Sequence, residues 1–393
     1  MHTPTGDRSQ DKIRVSPRIT RHIENRTLVL PEFKLLYLPV PKAGWTSMLW
    51  LMAGLAGIPS ETFRRAESPV TPLAMTVHSK QVWRESRRRL VDLSPEQRAR
   101  VLSEDGWLRF TVVRDPASRL WASWQSKLLL REPAFLRRFG SRPWYPTVPE
   151  CPDDVICGFR RFVTALDAEW DDESFIDKHW CVQHDLVSRL PLNHIGRIEH
   201  IEETTAALQA HLARASIDWD LPQANQTPLP YDPAVCDEST VEIVRRRYAD
   251  DFVNFGYPRL ECPRNPRAYV RWTEQAEPQI PVVRALTGAH ERLAAWDDVA
   301  RERRRELRTT RAGLQRAQRQ RKALGRQLKA TNRAHRQRAA ALKARVRSLE
   351  AQRDALRSRL DRMRASRSWR LTRPLRAASG FISRRPRPRN ASR

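Results

Sequence analysis

The stretch that decides the fold reads FKLLYLPVPKAGWTSMLWLMAGLA and covers residues 33–56. It holds an apolar run, Phe33–Leu38, then a turn with proline and glycine, then a second apolar run, Met48–Ala56. A short apolar run bounded by turn residues is typical of a strand buried on both faces. The stretch therefore predicts a strand, a tight turn and a helix, which is the repeating unit of a parallel sheet.

Two later segments repeat this pattern. The run Trp107–Val113 leads to a helix predicted over Pro116–Leu130, with Asp115 in the N-cap position. The run His194–Ile198 leads to a helix predicted over Glu202–Ala213. Three such units predict an α/β fold in which a parallel sheet is flanked by helices.

The positive charge of the chain is concentrated at one end. The 393 residues carry a net charge of +27. Residues 301–393 contain 32 Lys and Arg against 5 Asp and Glu, a net charge of +27, so residues 1–300 are electrically neutral. A region with this charge attracts polyanions, such as an anionic lipid surface, an acidic glycan or, without sequence specificity, a nucleic acid.

Composition divides the chain into four parts. Residues 1–27 are predicted to be a loose polar arm and residues 28–285 the body. Residues 286–365 are predicted to form a basic coiled coil, because a seam of residues recurs at alternating spacings of four and three. The seam consists of Leu342, Val346, Leu349, Arg353, Leu356, Leu360 and Met363. Residues 366–393 are predicted to be a basic amphipathic tail.

These C-terminal parts predict two kinds of partner. The coiled coil predicts a homo-oligomer. In the tail, Trp369 and Leu371 lie among arginines, which suits a helix on an anionic membrane surface. The alternative is an oligomerising coiled coil whose basic face is merely solvated.

No secretion or membrane-insertion signal is evident. The first residues, MHTPTGDRSQDKIR, contain no apolar stretch, and no run approaches the ~18 apolar residues of a membrane span. The five cysteines form neither a CxxC pair nor a Cys/His metal pattern. We therefore expect a cytoplasmic protein without a metal ion, with the tail allowing a peripheral position on the inner face of the membrane.

The turn after the first strand has the properties of an anion-binding loop. Residues Pro39–Ser47 read PVPKAGWTS. Gly44 permits close approach of the backbone to a ligand, and the N-terminus of the next helix directs amide groups at an anion. Lys42 adds a mobile cation, and Thr46 and Ser47 add hydroxyl donors. Because the G-x-x-x-x-G-K-[ST] phosphate loop is absent, a purely structural lysine remains the alternative.

Arg114 follows the second strand, in a turn that reads RDPASRL. In open parallel sheets, ligands bind at the carboxyl ends of the strands, which is where this residue lies. Its planar guanidinium suits a phosphate group. The alternative is that Arg114 pairs with a neighbouring carboxylate and only closes the turn.

Together the two turns resemble the carbohydrate sulfotransferases of the chondroitin/HNK-1 type (sulfotransferase family 2) and their bacterial relatives. That family has a P-K-x-G-x-[ST] turn followed by an R-[DEN]-P-x-x-R-L turn. Three further segments match the family in the same order: DKHWCVQ at 177–183, NHIGRIE at 193–199 and YADDFVNFGY at 248–257. The five ordered matches resemble a bacterial-type member with a basic coiled-coil tail.

The resemblance implies a P-loop-like α/β fold. It also implies transfer of a sulfuryl group from 3′-phosphoadenosine 5′-phosphosulfate (PAPS) to a carbohydrate hydroxyl of a cell-surface polysaccharide or glycolipid. The first turn would bind the 5′-phosphosulfate, and Lys42 would also act in catalysis. The residues of that turn are Pro41, Lys42, Ala43, Gly44, Trp45, Thr46 and Ser47.

The resemblance also assigns the 3′-phosphate to Arg114. The family has a second 3′-phosphate ligand, a serine eight residues after this arginine. Here that position is Ala122, and a serine follows at Ser123. On a helix, one residue is a rotation of about 100°, so Ser123 would reach the phosphate only if the turn is locally shifted.

The acceptor hydroxyl needs a base to take its proton, and histidine suits this task near neutral pH. His78 ends the apolar run Leu73–Val77, between the two donor-binding turns in sequence, and is the first candidate. A surface or capping histidine is the alternative. His179 and His184 are the rival candidates, although the segment of His179 could place it for packing beside Trp180.

Two other classes of function stay open on the sequence alone. A P-loop-like nucleotide kinase would have the same arrangement of strands, turns and helices. The absence of the phosphate loop and the presence of the turn at Arg114 disfavour this class. A basic coiled-coil binding protein with an inactive front domain is the other class, and Ala122 is its only support.

Overall fold

Four short strands form one sheet in the order β1-β2-β3-β4. The strands are β1 Leu28–Leu30, β2 Leu35–Leu38, β3 Leu108–Val113 and β4 His194–Arg197. β1 is antiparallel to β2, whereas β2, β3 and β4 are parallel to one another. All of β1 and β2 is buried, and so is β3 after its first residue, which is why their sequences are apolar runs.

Helices surround this sheet and make up most of the remaining chain. The structure is a computed structural model that describes residues 17–64, 67, 71, 73–212, 227–263 and 265–371. The α-helices are α1 Pro17–Arg26, α2 Trp45–Leu55, α3 Ser60–Arg64, α4 Lys80–Ser86, α5 Pro95–Ser103, α6 Pro116–Trp124, α7 Pro133–Phe139, α8 Pro152–Ala168, α9 Gln183–Val187, α10 Ile201–His211, α11 Glu238–Arg247, α12 Ala249–Asn254, α13 Pro266–Ala276, α14 Ile280–Ala365 and α15 Arg367–Leu371. The predicted α/β fold with parallel strands and a long C-terminal helix is confirmed.

The elements differ from their predictions mainly at the ends. Helix α2 begins at Trp45 rather than Met48, because Gly44 adopts a φ of +71° and turns the chain directly into the helix. The helix predicted over Pro116–Leu130 is α-helical only to Trp124 and continues as a π-helical segment, Gln125–Leu129. The strand order and direction are unaffected.

Helix α1 lies inside the segment predicted to be a loose arm. Ile19, His22 and Ile23 are buried, and the edge of the His22 ring meets the Trp45 ring at a centroid distance of 5.3 Å. Together with Arg26 they recur at the three- and four-residue spacings of one helix face. The polar composition of the arm hides this face, so the folded body begins earlier than residue 28. Residues 1–16 lie outside the described part.

The largest cluster of the core is rich in aromatic side chains. Trp121 and Trp124 of α6 contact Phe159 of α8 at ring centroid distances of 5.0 and 5.4 Å. Trp121 also meets Trp272 of α13 at 5.8 Å. The helix that carries the second turn is therefore fixed to the helices on its side of the sheet.

The body extends beyond the predicted boundary at residue 285. The chain divides into two units, Met1–Arg301 and Glu302–Arg393. In the first part of α14, Val283, Thr287 and Ala294 are buried in the body, and the Thr287 hydroxyl donates to the Leu129 carbonyl at 3.4 Å. The boundary therefore lies about four helical turns further along α14.

The second unit, as far as it is described, is the rest of α14 and the short helix α15. The predicted seam residues, among them Leu342 and Leu356, are exposed on α14. Pairing of this helix with a second copy stays a prediction. Residues 372–393 of the predicted amphipathic tail lie outside the described part, and no helix within that part has the length and apolarity to span a membrane.

Truncation tests the boundary. A chain that ends after Arg301 should keep the stability of the body, whereas a chain that ends after Pro281 should lose at least about 2 kcal/mol of unfolding free energy. The shorter chain removes Val283 from the core, and burial of one aliphatic side chain contributes roughly 1.5–3 kcal/mol. Urea unfolding of both variants measures the difference. Equal midpoints would show that residues 282–301 are not part of the body.

Candidate functional site

Three parallel strands end at the same edge of the sheet, and a cavity of about 800 Å³ lies there. The turn after β2, the turn after β3 and the chain after β4 all contribute to its walls. The predicted site residues that line it are Pro41, Lys42, Gly44, Trp45, Thr46, Ser47, His78, Arg114 and His179. Ala43 and Ser123 are not among the lining residues; both are buried in the core.

The turn after β2 is held in an unusual backbone conformation. Lys42 and Gly44 both have a φ of +71°, which is rare for a residue with a side chain. A β-carbon at Gly44 would lie 2.8 Å from Cδ1 of Ile198, which could shift, so the positive φ is the stronger reason for a glycine here. Helix α2 begins at Trp45 in this turn, and the N-terminus of a helix favours a negatively charged group.

Lys42 lies in this turn with its ammonium group largely removed from water. Burial lowers the pKa of Lys42 to about 7, and the nearby charge of Lys127 lowers it as well. Glu132 acts in the opposite direction. The side chain is therefore poised to gain full positive charge when an anion enters the cavity, because the anion raises the pKa again.

Arg114 is positioned through its backbone. Its N–H donates to Oε1 of Gln183 at 3.0 Å, and Nε2 of Gln183 donates to its carbonyl at 2.7 Å. The guanidinium donates from Nε to the Ser118 hydroxyl at 3.0 Å and from Nη1 to the Lys42 carbonyl at 3.4 Å. Within the described residues no carboxylate lies within ion-pair distance of it. Burial lowers the pKa of Arg114, and the nearby carboxylates of Glu199 and Asp115 act in the opposite direction.

Ser123 does not face the cavity. Its hydroxyl donates to the carbonyl of His179 at 2.5 Å, and the residue is fully buried. Ala122 lines the cavity instead, as the rotation between successive helical residues requires. The assignment of Ser123 to the 3′-phosphate therefore has no support in this geometry. The hydroxyl of Ser118, one turn after Arg114, accepts from Nε of Arg114 and was not predicted.

His78 touches the first turn. Its Nε2 lies 3.0 Å from the Thr46 hydroxyl, and its ring meets Trp45 edge-on at a centroid distance of 4.6 Å. Burial lowers the pKa of His78 to about 3, and the nearby charge of Arg26 lowers it as well. The imidazole is therefore neutral at pH 7, and while the cavity is empty its surroundings oppose protonation.

His179 has a carboxylate partner. Its Nδ1 lies 2.6 Å from Oδ1 of Asp177, so Nδ1 donates and Nε2 is left as an acceptor. Burial lowers the pKa of His179 to about 3, with Lys127 lowering it further and Asp177 opposing. Asp177 also pairs with Arg138 at 2.9 Å. Both candidate bases thus lie in the cavity, in different surroundings.

Several charged residues of the cavity were not predicted. Arg26, Lys127 and Lys178 line it, together with Glu132, which pairs with Lys127. Lys178 lies in the recognised DKHWCVQ segment, next to His179. Arg26, Lys127 and Glu132 come from elements that reach the cavity only in the folded chain. The excess of cations gives the cavity the positive potential that a multiply charged anion requires.

Arg119, on helix α6, connects two of the recognised segments. The side chain is fully buried. Nε donates to the Pro41 carbonyl at 2.9 Å, Nη1 to the Cys181 carbonyl at 2.7 Å and Nη2 to the Lys178 carbonyl at 3.0 Å. One guanidinium therefore fixes the first turn against the DKHWCVQ segment.

Asp251 and Tyr248 attach the last segment to the same place. The buried carboxylate of Asp251 accepts from the backbone N–H groups of Gln183 at 3.0 Å and His184 at 2.7 Å. The Tyr248 hydroxyl donates to the Trp180 carbonyl at 2.6 Å. These contacts hold the loop that carries His179.

Glu199 completes the network. It accepts from the Asp115 backbone N–H at 2.9 Å with Oε1 and from the Tyr257 hydroxyl at 2.9 Å with Oε2. The five segments recognised in the sequence are therefore joined around one cavity. Within the described residues, no group of three or more His, Cys, Asp or Glu side chains is placed to hold a metal ion.

Comparison with known families agrees with this arrangement. A sulfotransferase family model matches residues 25–258, which is more than half of the chain and includes every lining residue named above. Curated proteins and solved structures yield no significant match. The match does not favour a nucleotide kinase or an inactive binding protein. With its five segments closed around one cationic cavity, the chain belongs to the sulfotransferase family.

Proposed function

We propose that the chain transfers a sulfuryl group from PAPS to the hydroxyl of a carbohydrate, on a cell-surface polysaccharide or glycolipid. The observation that carries the proposal is the meeting of two anion-binding turns, where Nη1 of Arg114 lies 3.4 Å from the Lys42 carbonyl. A donor with charge at both its 5′ and 3′ ends requires two such contacts close together. The P-loop-like character of the first turn, with a lysine and the N-terminus of α2, supports the same assignment.

The first turn holds the 5′-phosphosulfate in this proposal. When bound, PAPS supplies an activated sulfuryl group on a phosphate that can leave. The acceptor oxygen forms a bond to sulfur as the bond from sulfur to the phosphate oxygen breaks, and negative charge grows on that oxygen. Lys42 and the amide groups of α2 stabilise this charge, and they act as fixed donors in a site removed from water.

A histidine takes the proton of the acceptor hydroxyl. We assign this role to His78, because its Nε2 lies 3.0 Å from Thr46 in the donor-binding turn. Donor binding and base are then adjacent. His179 is the second candidate, since Asp177 orients its ring through Nδ1 and leaves Nε2 as the acceptor.

The basic C-terminal region has a separate proposed role. We assign it to an anionic membrane surface, which would place the enzyme as a peripheral protein beside a lipid-linked glycan on the inner face of the membrane. Its support is the net charge of +27 over residues 301–393. Formation of a homo-oligomer through the seam of α14 is proposed on the spacing of its exposed apolar residues.

Substitution of Arg114 tests the donor. Arg114→Ala should weaken the binding of adenosine 3′,5′-bisphosphate by ~1.5–3 kcal/mol, because it removes a charge-assisted contact to the 3′-phosphate. Adenosine 5′-phosphosulfate lacks that phosphate and should be affected much less. Isothermal titration of the two nucleotides measures the difference. An equal loss for both would reject the assignment of Arg114 to the 3′-phosphate.

The pH dependence of activity tests Lys42. In the free enzyme the Lys42 amine loses its proton as the pH rises through about 7, so kcat/KM for PAPS should fall above that pH. In Lys42→Arg the cation persists, so the fall should vanish even if the rate is lower. Initial rates between pH 6 and 9 give both profiles. A fall that persists unchanged in Lys42→Arg would have to come from another group.

The two histidines give contrasting predictions. His78→Ala should lower single-turnover transfer by ~10²–10⁴-fold, a larger loss than its effect on bisphosphate affinity or on the melting temperature would explain. His179→Ala should instead lower the melting temperature, because it leaves a cavity and takes a hydrogen bond from Asp177. Rapid-quench transfer and thermal unfolding are measured for both. A stable but inactive His179→Ala, with near-normal His78→Ala, would reverse the roles.

A further inference from the structure

The π-helical segment after α6 brings Lys127 into the wall of the cavity. The Leu130 N–H donates to the Gln125 carbonyl at 2.9 Å, which is the five-residue hydrogen bond of a π-turn. In a continuous α-helix, the residues on the same face as Ala122 would be the third and fourth after it. Lys127 is the fifth, and it lines the cavity with Ala122 because the π-turn is wider. The position of Lys127 therefore depends on how this segment is held.

The start of the segment is fixed to another part of the cavity wall. Gln125 is fully buried, and its side-chain amide forms two hydrogen bonds with the backbone of Leu229. Its Nε2 donates to the Leu229 carbonyl at 2.9 Å, and its Oε1 accepts from the Leu229 N–H at 2.9 Å. Leu229 itself lines the cavity. This end of the segment is therefore held within the cavity wall.

The other end of the segment is held by the start of α14. Residues 129–131 form a corner between the π-helical segment and α7, and one face of α14 packs on it. On that face Thr287 is fully buried, Nδ1 of His290 donates to the Leu130 carbonyl, and Glu291 forms an ion pair with Arg131. The three residues of α14 are separated by the three- and four-residue spacings of neighbours on a helix.

Arg131 turns the chain at this corner in a strained backbone conformation. Its φ is +54°, which a residue with a side chain rarely adopts. Such a conformation persists only where the surrounding structure holds it. Besides its ion pair with Glu291, Arg131 donates from Nη2 to the Pro146 carbonyl at 3.2 Å. The shape of the corner therefore depends in part on α14.

An ion pair of the cavity spans the same corner. Lys127 precedes the corner, Glu132 follows it, and their side chains pair with each other. Both residues line the cavity, as does Lys42. Burial is the largest cause that lowers the pKa of Lys42, and the charge of Lys127 is the next. Lys127 is therefore close enough to Lys42 for their charges to interact.

The contacts from α14 come from outside the part of the chain that matches the sulfotransferase family. The match ends at residue 258, whereas α14 begins at Ile280. The corner itself lies inside the matched part. A wall of the cavity is thus supported by a helix beyond the matched region.

Building on the proposed function, we infer that His290 and Glu291 of α14 are positioning residues for the PAPS site. Through the corner they hold Lys127 beside Lys42, where its charge contributes to binding of the PAPS anion. Lys127 is the residue that acts at the site, and the two residues of α14 act through it. Loss of their contacts releases the corner and moves Lys127 away from the bound anion.

Isothermal titration of the full chain with PAPS at pH 7, without an acceptor, tests this role. His290→Leu with Glu291→Gln removes both contacts to the corner. This α14 variant should lose about tenfold in affinity for PAPS, as loss of one charge-assisted contact allows. The conservative pair His290→Asn with Glu291→Asp keeps an N–H donor and a carboxylate, and it should recover most of the loss.

The matched control is Asp297→Asn with Asp298→Asn, on the same helix. It removes ion pairs of α14 with Arg137 of α7, at 3.0 and 3.2 Å. The control should bind PAPS normally. Thermal unfolding shows whether each variant is folded, and Glu291→Gln alone, which removes one partly exposed charge, is measured if the α14 variant is not. Normal affinity in the folded α14 variant, or an equal loss in the control, would overturn the inference.

A double-mutant cycle separates positioning from a general loss of structure. Lys127→Gln should by itself lower the affinity for PAPS about tenfold. In a chain that already carries Lys127→Gln, the α14 variant should have little further effect, because the charge that it misplaces is absent. If the two losses add in full, α14 acts by another route and the inference is wrong.

The titration of Lys42 gives a readout that does not depend on PAPS. The charges that act on its amine are those of Lys127, Glu132 and Arg114, and Lys127 has the largest effect of the three. When Lys127 moves away in the α14 variant, a like charge is lost, so the Lys42 amine should titrate at higher pH. NMR of the lysine side chains measures this, with Lys42→Arg to assign the signal.

The two readouts distinguish the inference from the proposed function. An unchanged titration of Lys42 in the α14 variant would overturn the inference. If the unaltered protein does not bind PAPS, while Lys42 of the α14 variant titrates at higher pH, the proposed function fails and the positioning of Lys127 by α14 stands.

Discussion

The buried guanidinium of Arg119 is the constraint on which the site depends. Burial of a charge is expensive unless its hydrogen-bonding groups are satisfied, and Arg119 satisfies them with three backbone carbonyls from two segments. Those carbonyls belong to the donor-binding turn and to the loop of His179. The Pro41 carbonyl is far in sequence from those of Lys178 and Cys181. Arg119 therefore fixes the position of the donor-binding turn relative to the loop of His179. The site is preorganised by a residue that does not line it.

The motifs of the sequence are recognisable because each supplies a contact to another motif. The side-chain amide of Gln183 fits the backbone of Arg114, and Glu199 accepts from the turn after β3 and from Tyr257. Such hydrogen bonds need one particular side chain at each position, whereas a position that only packs in the core would accept several different side chains. The recognised motifs are therefore joined to one another around the cavity, and only some of their residues line it.

The sequence predicted the parts that local pattern controls. Buried parallel strands appear as apolar runs, and turns that bind anions appear at their carboxyl ends. The sequence proposed Ser123 for the 3′-phosphate, but the helical rotation from Ala122 to Ser123 turns the serine away from the cavity. The sequence did not predict that helix α1 and the start of α14 pack on the body. Each has only a narrow apolar face in a polar segment, and such a face is recognised only once the surface that it contacts is known. Lys127 reaches the site through long-range packing that no local pattern encodes.

The burial of Lys42 has a chemical consequence beyond sulfuryl transfer. Because burial lowers the pKa of Lys42 to about 7, a far larger share of these side chains is uncharged at neutral pH than for an ordinary lysine, for which the share is below about one in a thousand. A neutral amine is a nucleophile, and burial is a known way to make lysine reactive. Aldehydes and acylating reagents small enough to enter the cavity would therefore find Lys42 before the exposed lysines. An electrophile placed on a nucleotide-like scaffold could become a covalent inhibitor.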